Sequence, residues 1–338
     1  MGAGALVLVL AGIGTSFVVS RVAVLQRQLA ARVGTPPRLP PPSSTGRSPL
    51  DPAPSPSQPI TEISPNRLTF SASWLADHPQ PDLPVKAQAA VLFDVDDQQV
   101  LWQRDPNGRR APASLTKLVT SMVVADHVPL DRSIPVTAAT DAAAEKRIEP
   151  ASTLMGLTAG ETLTVRELLD GLFLRSGNDA ADTLAAGTAG RDAFIAMMNG
   201  KAAELGMTGS HFSSPVGLDA PDQYSTAWDL GIAAATIVER HPQLLAIAGT
   251  PSVHLDQTPT HKAYDLVNYN KLVRADQPEY YAGATGMKTA FTDNAGPCMV
   301  ATANRGGHRL VAVILHSDDF FADAHTLLDY GFRVGTAS

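Results

Sequence analysis

Three short stretches carry the residue types of acyl-transfer chemistry. The first is Ala113-Ser114-Leu115-Thr116-Lys117. A serine and a lysine three apart, at the start of an apolar-periodic run, fall on one face of a helix one turn from each other. A serine hydroxyl is a weak nucleophile and needs a base within hydrogen-bond reach. Lysine serves as that base where burial or another cation discourages its ammonium. The spacing predicts a helix with Ser114 near its N-terminus, where the dipole favours developing negative charge. Pro112 stands just ahead, and Leu115, Leu118, Val119, Met122 and Val123 form an apolar back at helical spacing. The second stretch, Ser176-Gly177-Asn178, makes either a bend aiming two polar side chains into a cleft or a helix C-cap followed by an N-cap. The third, Lys288-Thr289, lies in an apolar run flanked by glycines. It reads as a site strand beside a cleft or as an edge strand with a solvated lysine. A Ser-x-x-Lys pair alone carries little weight, because short patterns recur by chance.

The elements around these stretches are legible from periodicity. Ala89 to Phe93 and Val100 to Trp102 read as a β-hairpin with a polar turn over Asp94 to Gln99. Pro129 to Ala144 reads as irregular. Glu161 to Arg175 reads as a helix with a Thr164/Glu167 capping box, and further helices are expected over 178–186, 191–205 and 226–240. Gly206 is a stop signal. Met287 to Phe291, Cys298 to Ala303 and Arg309 to Leu315 read as strands, the last two joined through Asn304-Arg305-Gly306-Gly307. A closing helix is expected over 318–332. Strands at both ends with helices between predict an α+β domain, an antiparallel sheet completed by both chain ends with a helical insertion.

The 338 residues suffice for one large domain or two ordinary ones. A formal net charge of -7 and the lack of any basic block argue against nucleic acid as a partner. The single cysteine, Cys298, precludes an intrachain disulfide and sits in an apolar run as a small hydrophobe. Gly2 to Ser20 is uncharged and apolar, which fits a signal or membrane-anchor segment over 1–20. Arg21, Arg27 and Arg32 follow it, a polarity that places the C-terminal side in the cytoplasm unless the true start lies upstream and supplies further positive charges or the signal is overridden. Residues 21–83 are expected to be a Pro/Ser-rich disordered linker, and 84–338 the folded domain.

Taken together, Ser114/Lys117, Ser176/Asn178 and Lys288/Thr289 resemble the three-part signature of the penicillin-binding and β-lactamase superfamily. The flanking text narrows this. Pro112 to Lys117, Leu174 to Ala181, Pro215 to Asp219, Tyr224 to Ala227, Asn268-Tyr269-Asn270 and Thr285 to Thr289 resemble the low-molecular-mass, serine-type D-alanyl-D-alanine carboxypeptidases, from about Pro84 onward. The resemblance implies a β-lactamase/transpeptidase-like fold, an antiparallel sheet flanked by helices plus a helical subdomain. It implies that Ser114 attacks the bond between the terminal D-alanines of a peptidoglycan stem peptide, with Lys117 as base and Ser176 relaying a proton to the leaving amine. Asn178 would hold the substrate amide and the Lys117 head, Lys288 and Thr289 would bind the carboxylate, and the backbone N–H groups of Ser114 and Phe291 would form the oxyanion hole. A second cation at Lys288 is expected to lower the proton affinity of Lys117. β-Lactams would act as acylating inhibitors, no metal or other cofactor is implied, and the enzyme would work outside the cell membrane, secreted or held by its N-terminal segment.

One departure stands in the third stretch, where the family usually has glycine after Lys-Thr and this chain has Ala290. An added methyl on a substrate-binding strand is expected to reduce activity. A β-lactamase would need a deacylating carboxylate, and the glutamates in the relevant interval, Glu204 and Glu239, read as solvated helix residues. Transpeptidase or endopeptidase action on the same residues, or a wall-binding protein weakened at Ala290, are the other readings. An α/β-hydrolase is disfavoured, since no Gly-x-Ser-x-Gly elbow exists.

Overall fold

The computed structural model describes residues 67–335. The expected N-terminal segment and most of the expected linker lie outside these residues. Among the described residues, no helix is long and apolar enough to cross a membrane. Helix α1 (Ser73–Asp77) precedes a β-hairpin, β1 (Ala89–Asp94) and β2 (Gln99–Arg104). The helical part follows, with α2 (Lys117–His127), α3 (Ala142–Ile148), α4 (Val165–Leu174), α5 (Asn178–Thr188), α6 (Arg191–Leu205), α7 (Ala227–Arg240) and α8 (Pro242–Ala248). Short strands β3 (Ser133–Pro135) and β4 (Thr162–Thr164) pair within it, as do β5 (Ser252–Leu255) and β6 (Tyr264–Val267). The chain then returns to the sheet through β7 (Ala284–Thr292), β8 (Gly296–Arg305) and β9 (His308–Leu315), and closes with α9 (Phe320–Gly335).

The main sheet has the order β2-β1-β9-β8-β7, antiparallel throughout, so both ends of the chain complete it as expected. Its alternation sorts side chains into two cores. Val91, Phe93, Val300, Val311 and Val313 join the core shared with the helical part. Leu92, Met299, Ala301, Ala312 and Ile314 pack on the other side with Leu327 and Leu328 of α9. A strand covered on both faces must read as continuously apolar, which is why β1, β8 and β9 do. Cys298 is buried in the first core as a small hydrophobe. The β8–β9 hairpin turns at Gly306 and Gly307, whose φ of 64° and 93° suit residues without a Cβ.

Most expected helices form within a residue or two. The Thr164/Glu167 capping box is present in full, and Gly206 ends α6 in the left-handed conformation at φ 75°. Three expectations change. Residues 129–144, expected to be irregular, include β3 and the start of α3, which Asp141 caps by accepting from the Ala144 N–H at 2.7 Å. The expected 161–175 helix begins with strand β4. Residues 67–83, expected to belong to the disordered linker, are packed. Ser71 N–H donates to Gln98 O at 2.9 Å and Val100 N–H donates to Ser71 O at 2.8 Å, flanking the β2 edge. Phe70 is 8 % exposed and stacks on Phe93 at a centroid separation of 4.0 Å. Trp102 Nε1 donates to Pro81 O at 3.1 Å. The prolines concealed aromatic anchors that bury apolar area. Phe70→Ala is expected to lower unfolding free energy by about 3 kcal/mol in urea titration, the usual scale for a deleted core phenylalanine; an unchanged midpoint would show that this segment does not contribute to the fold.

Candidate active site

Ser114 sits in a single 3-10 turn, Ala113–Thr116, and the α-helix starts only at Lys117. The expected helix is thus divided, but its logic survives. Leu115, Leu118, Val119, Met122 and Val123 are fully buried and hold the turn from behind. As a first-turn residue, Ser114 has a backbone N–H that the helix itself does not use. Ala113, immediately before it, has φ 47°, and Ser176 has φ 55°. Both are sparsely populated conformations for residues with a Cβ, and such strain collects where side chains must be aimed precisely. The loop following α6 clamps the turn. Thr120 Oγ1 donates to Pro215 O at 2.7 Å, Gln223 Nε2 donates to Thr116 Oγ1 at 2.8 Å, and Gly217 (φ 89°) passes so close that a Cβ there would lie 1.9 Å from Ala113 O.

Lys117 is fully buried and points its ammonium at three acceptors. Nζ lies 3.1 Å from Ser114 Oγ, 2.8 Å from Asn178 Oδ1 and 2.8 Å from Val216 O. All three acceptors are uncharged. Burial lowers its pKa to about 7, while Asp182, Glu145 and Asp179 act in the opposite direction. Lys288 is also buried, and its Nζ donates to Thr289 O at 2.8 Å. Its proton affinity falls well below the ordinary lysine range, first through burial and then through repulsion from Lys117. The expected tuning of Lys117 by Lys288 is therefore replaced by burial, and the repulsion between the two lysines falls on Lys288.

Glu145 is completely buried on α3, and neither carboxylate oxygen meets a hydrogen-bond donor. Burial first, and then contact with Asp182, raises its pKa to about 8.

A cleft of about 810 Å³ opens over these residues. Its walls include Ser114, Ser176, Asn178, Thr289 and Phe291, together with Ala290, Ser152 and Tyr269. Lys117 and Lys288 lie under the surface. Strand β7 is the edge of the sheet, so alternate backbone groups face the cleft rather than a neighbouring strand. Thr289 and Phe291 lie two apart on one side of β7, and Lys288 and Ala290 on the other, in keeping with strand alternation. Ser176 Oγ makes no hydrogen bond among the described residues. Its backbone C=O accepts from Thr153 Oγ1 at 2.9 Å. Of the alternatives for Ser176-Gly177-Asn178, both hold in part. Gly177 precedes α5 as its N-cap, and the flanking side chains reach the cleft. Glu204 pairs with Lys201 at 2.6 Å and Glu239 with Arg309, and neither lines the cleft.

Several neighbours lie in the flanking stretches named above but were given no role from sequence. Asp179 is fully buried and accepts from the N–H groups of Met155, Gly156 and Leu157 at 2.8, 2.8 and 2.9 Å, tying the segment after α3 to α5. Asp219 accepts from Thr292 Oγ1 at 2.7 Å and holds the end of β7. Asn268 donates to Ala248 O and Thr250 O at 3.0 and 2.9 Å, which leaves the intervening Tyr269 on the cleft wall, with the Arg175 guanidinium 4.7 Å from its ring.

A serine and a buried amine in contact, on a helix turn beside a sheet edge, define a penicillin-binding serine enzyme, and solved structures bear this out. The chain superposes on the D-alanyl-D-alanine carboxypeptidase of Mycobacterium tuberculosis H37Rv with a TM-score of 0.67 and 34 % identity, covering 76 % of this chain and 95 % of that one. It superposes on penicillin-binding protein D2 of Listeria monocytogenes, solved with cefotaxime bound, with a TM-score of 0.65 and 30 % identity over 75 % and 100 % of the two chains. The D-alanyl-D-alanine carboxypeptidase family model matches residues 76–319. DacB2 of Mycobacterium tuberculosis is 37 % identical over 265 residues, 76 % of this chain and 85 % of the relative. DacF of Bacillus subtilis is 32 % identical over 272 residues, 78 % and 68 % of the two. The chain belongs to the D-alanyl-D-alanine carboxypeptidase family and is a serine-type hydrolase.

The Lys117 environment sets a pH dependence. Its neutral form can take the serine proton, and its pKa is near 7. Acylation of Ser114 by a fluorescent penicillin is expected to rise with pH through about 7 and then level. A rate that falls as pH rises through 7 would rule out a neutral-amine base.

Proposed function

We propose that the protein removes the terminal D-alanine from peptidoglycan stem pentapeptides through an acyl-enzyme on Ser114. Ser114 Oγ attacks the carbonyl carbon of the penultimate D-alanine while its proton passes to Lys117 Nζ. The carbonyl oxygen becomes an oxyanion against the N–H groups of Ser114 and Phe291, each such donor being worth about 3 kcal/mol. As the C–N bond breaks, Lys117 returns the proton through Ser176 to the leaving amine, and D-alanine departs. Water then attacks the ester, again with Lys117 as base, and frees the shortened peptide and Ser114. Asn178 holds the substrate amide, and Lys288 and Thr289 receive the carboxylate. A carboxylate arriving at the buried Lys288 supplies the countercharge that favours its ammonium. The observation that carries this reading is the fully buried Lys117 Nζ, 3.1 Å from Ser114 Oγ and hydrogen-bonded to neutral acceptors alone.

The substrate lies outside the cytoplasmic membrane, so the enzyme acts there, with Gly2 to Ser20 exporting or anchoring it. A β-lactam uses the same nucleophile and is expected to remain attached, since Glu204 and Glu239 lie away from the cleft.

The reading is tested by incubating the purified protein with a D-Ala-D-Ala pentapeptide and measuring released D-alanine. Release is expected from the wild type and absent from Ser114→Ala, which also fails to take up fluorescent penicillin. D-alanine is released on acylation in either case, so cross-linked dimer in place of the shortened peptide would instead indicate a transpeptidase. At Ala290 the methyl lines the cleft yet is largely packed, the residue being 8 % exposed. Ala290→Gly is expected to raise kcat/KM for the pentapeptide by about tenfold, the lower end of what one methylene discriminates; a fall would show that alanine is the better fit.

A further inference from the structure

Ser152 belongs to none of the three stretches, yet its side chain reaches the centre of the site. It is 8 % exposed and lines the cleft with Ser114 and Ser176. Asn178 Nδ2 donates to Ser152 Oγ at 3.0 Å, and on the opposite side of the same amide Oδ1 accepts from Lys117 Nζ at 2.8 Å. An amide has two faces of opposite polarity. A partner on the N–H face therefore decides which face meets the lysine.

The segment around Ser152 is tied down on every side. Lys146, from α3, donates to Pro150 O at 2.6 Å and Ser152 O at 3.0 Å. Ser152 N–H donates to Glu149 O at 2.9 Å, and Glu149 Oε1 accepts from Ala151 N–H at 2.9 Å. Next along the chain, Thr153 O accepts from Asn178 N–H at 2.9 Å, and Thr153 Oγ1 donates to Ser176 O. Beyond that, Asp179 takes the N–H groups of residues 155–157. These bonds fix the backbone, and Ser152 Oγ is the side-chain atom that the fixed backbone delivers to Asn178.

We propose that Ser152 is a positioning residue for acylation, holding the Asn178 amide so that its carbonyl oxygen faces Lys117. This rests on the reading of Lys117 as the base. With Ser152 removed, Asn178 Nδ2 is left buried without its partner, and the amide turns to find one. Lys117 then loses a well-directed acceptor. An acceptor favours the ammonium form, so its loss lowers the proton affinity of Lys117. The rate falls because the amine is no longer held towards Ser114, and the pH at which it becomes neutral also falls.

The test is pre-steady-state acylation of the full chain by fluorescent penicillin across the neutral pH range, with wild type, Ser152→Ala and Ser152→Thr. The expected result is a fall of about tenfold at the plateau for Ser152→Ala, the scale of one lost bond in a buried charged network, together with a rising limb displaced to lower pH. Ser152→Thr, which keeps the hydroxyl, restores both. Thermal melting of each variant separates unfolding from this effect. A Ser152→Ala protein whose rising limb stays at the wild-type pH overturns the proposal, whether its rate is unchanged or reduced. So does a failure of threonine to restore the limb in a protein that melts as the wild type does. A wild type with no rising limb overturns the Lys117 reading, and this inference with it.

Discussion

The burial of one lysine head group against neutral oxygens is the constraint that the rest of the site obeys. A fully exposed Lys117 would be an ammonium at neutral pH and no base. Inside the protein its charge is opposed by lost hydration, and Ser114, Asn178 and Val216 offer acceptors without offering a counter-charge. Asp182, Glu145 and Asp179 restrain the shift. Had one of them paired directly with Nζ, the ammonium would persist. The fold thus has to keep carboxylates close enough to limit the penalty of burial and out of hydrogen-bonding contact.

Glu145 fits that arrangement. Asp182 and Asp179 add repulsion to its burial, and Asp182 is itself paired to Arg191 at 2.6 Å, so Glu145 holds a proton more tightly than an exposed acid. Burial thus favours the neutral form of both the acid at 145 and the amine at 117.

The chemistry of the site was more legible in the sequence than its support. Ser114, Lys117, Ser176, Asn178, Thr289 and Phe291 converge on one cleft or its floor, and Lys288 lies near Lys117, because each stretch has a residue pattern tied to a particular role. The capping box at Thr164 and the turn at Gly306-Gly307 were legible for the same reason, since local backbone conformation demands those residue types. The roles of Ser152, Asp179 and Asp219 were not, because their partners here lie between 22 and 75 positions away and leave no local pattern. The packing of Phe70 was hidden by a composition that usually signals disorder, where a single stacked ring outweighs many prolines. The division of the Ser114 helix had a cause equally remote in sequence, the loop that presses Gly217 against Ala113.

The bond between Ser71 and the β2 edge has a geometrical consequence for access to polymeric substrate. The polypeptide enters the described region on the β2 flank, whereas the cleft is built on β7, and three strands lie between them. Four interstrand steps of about 4.8 Å separate the two flanks by about 19 Å. A ligand reaching the β7 flank therefore meets the nucleophile without passing residues 67–77, which lie against the opposite flank.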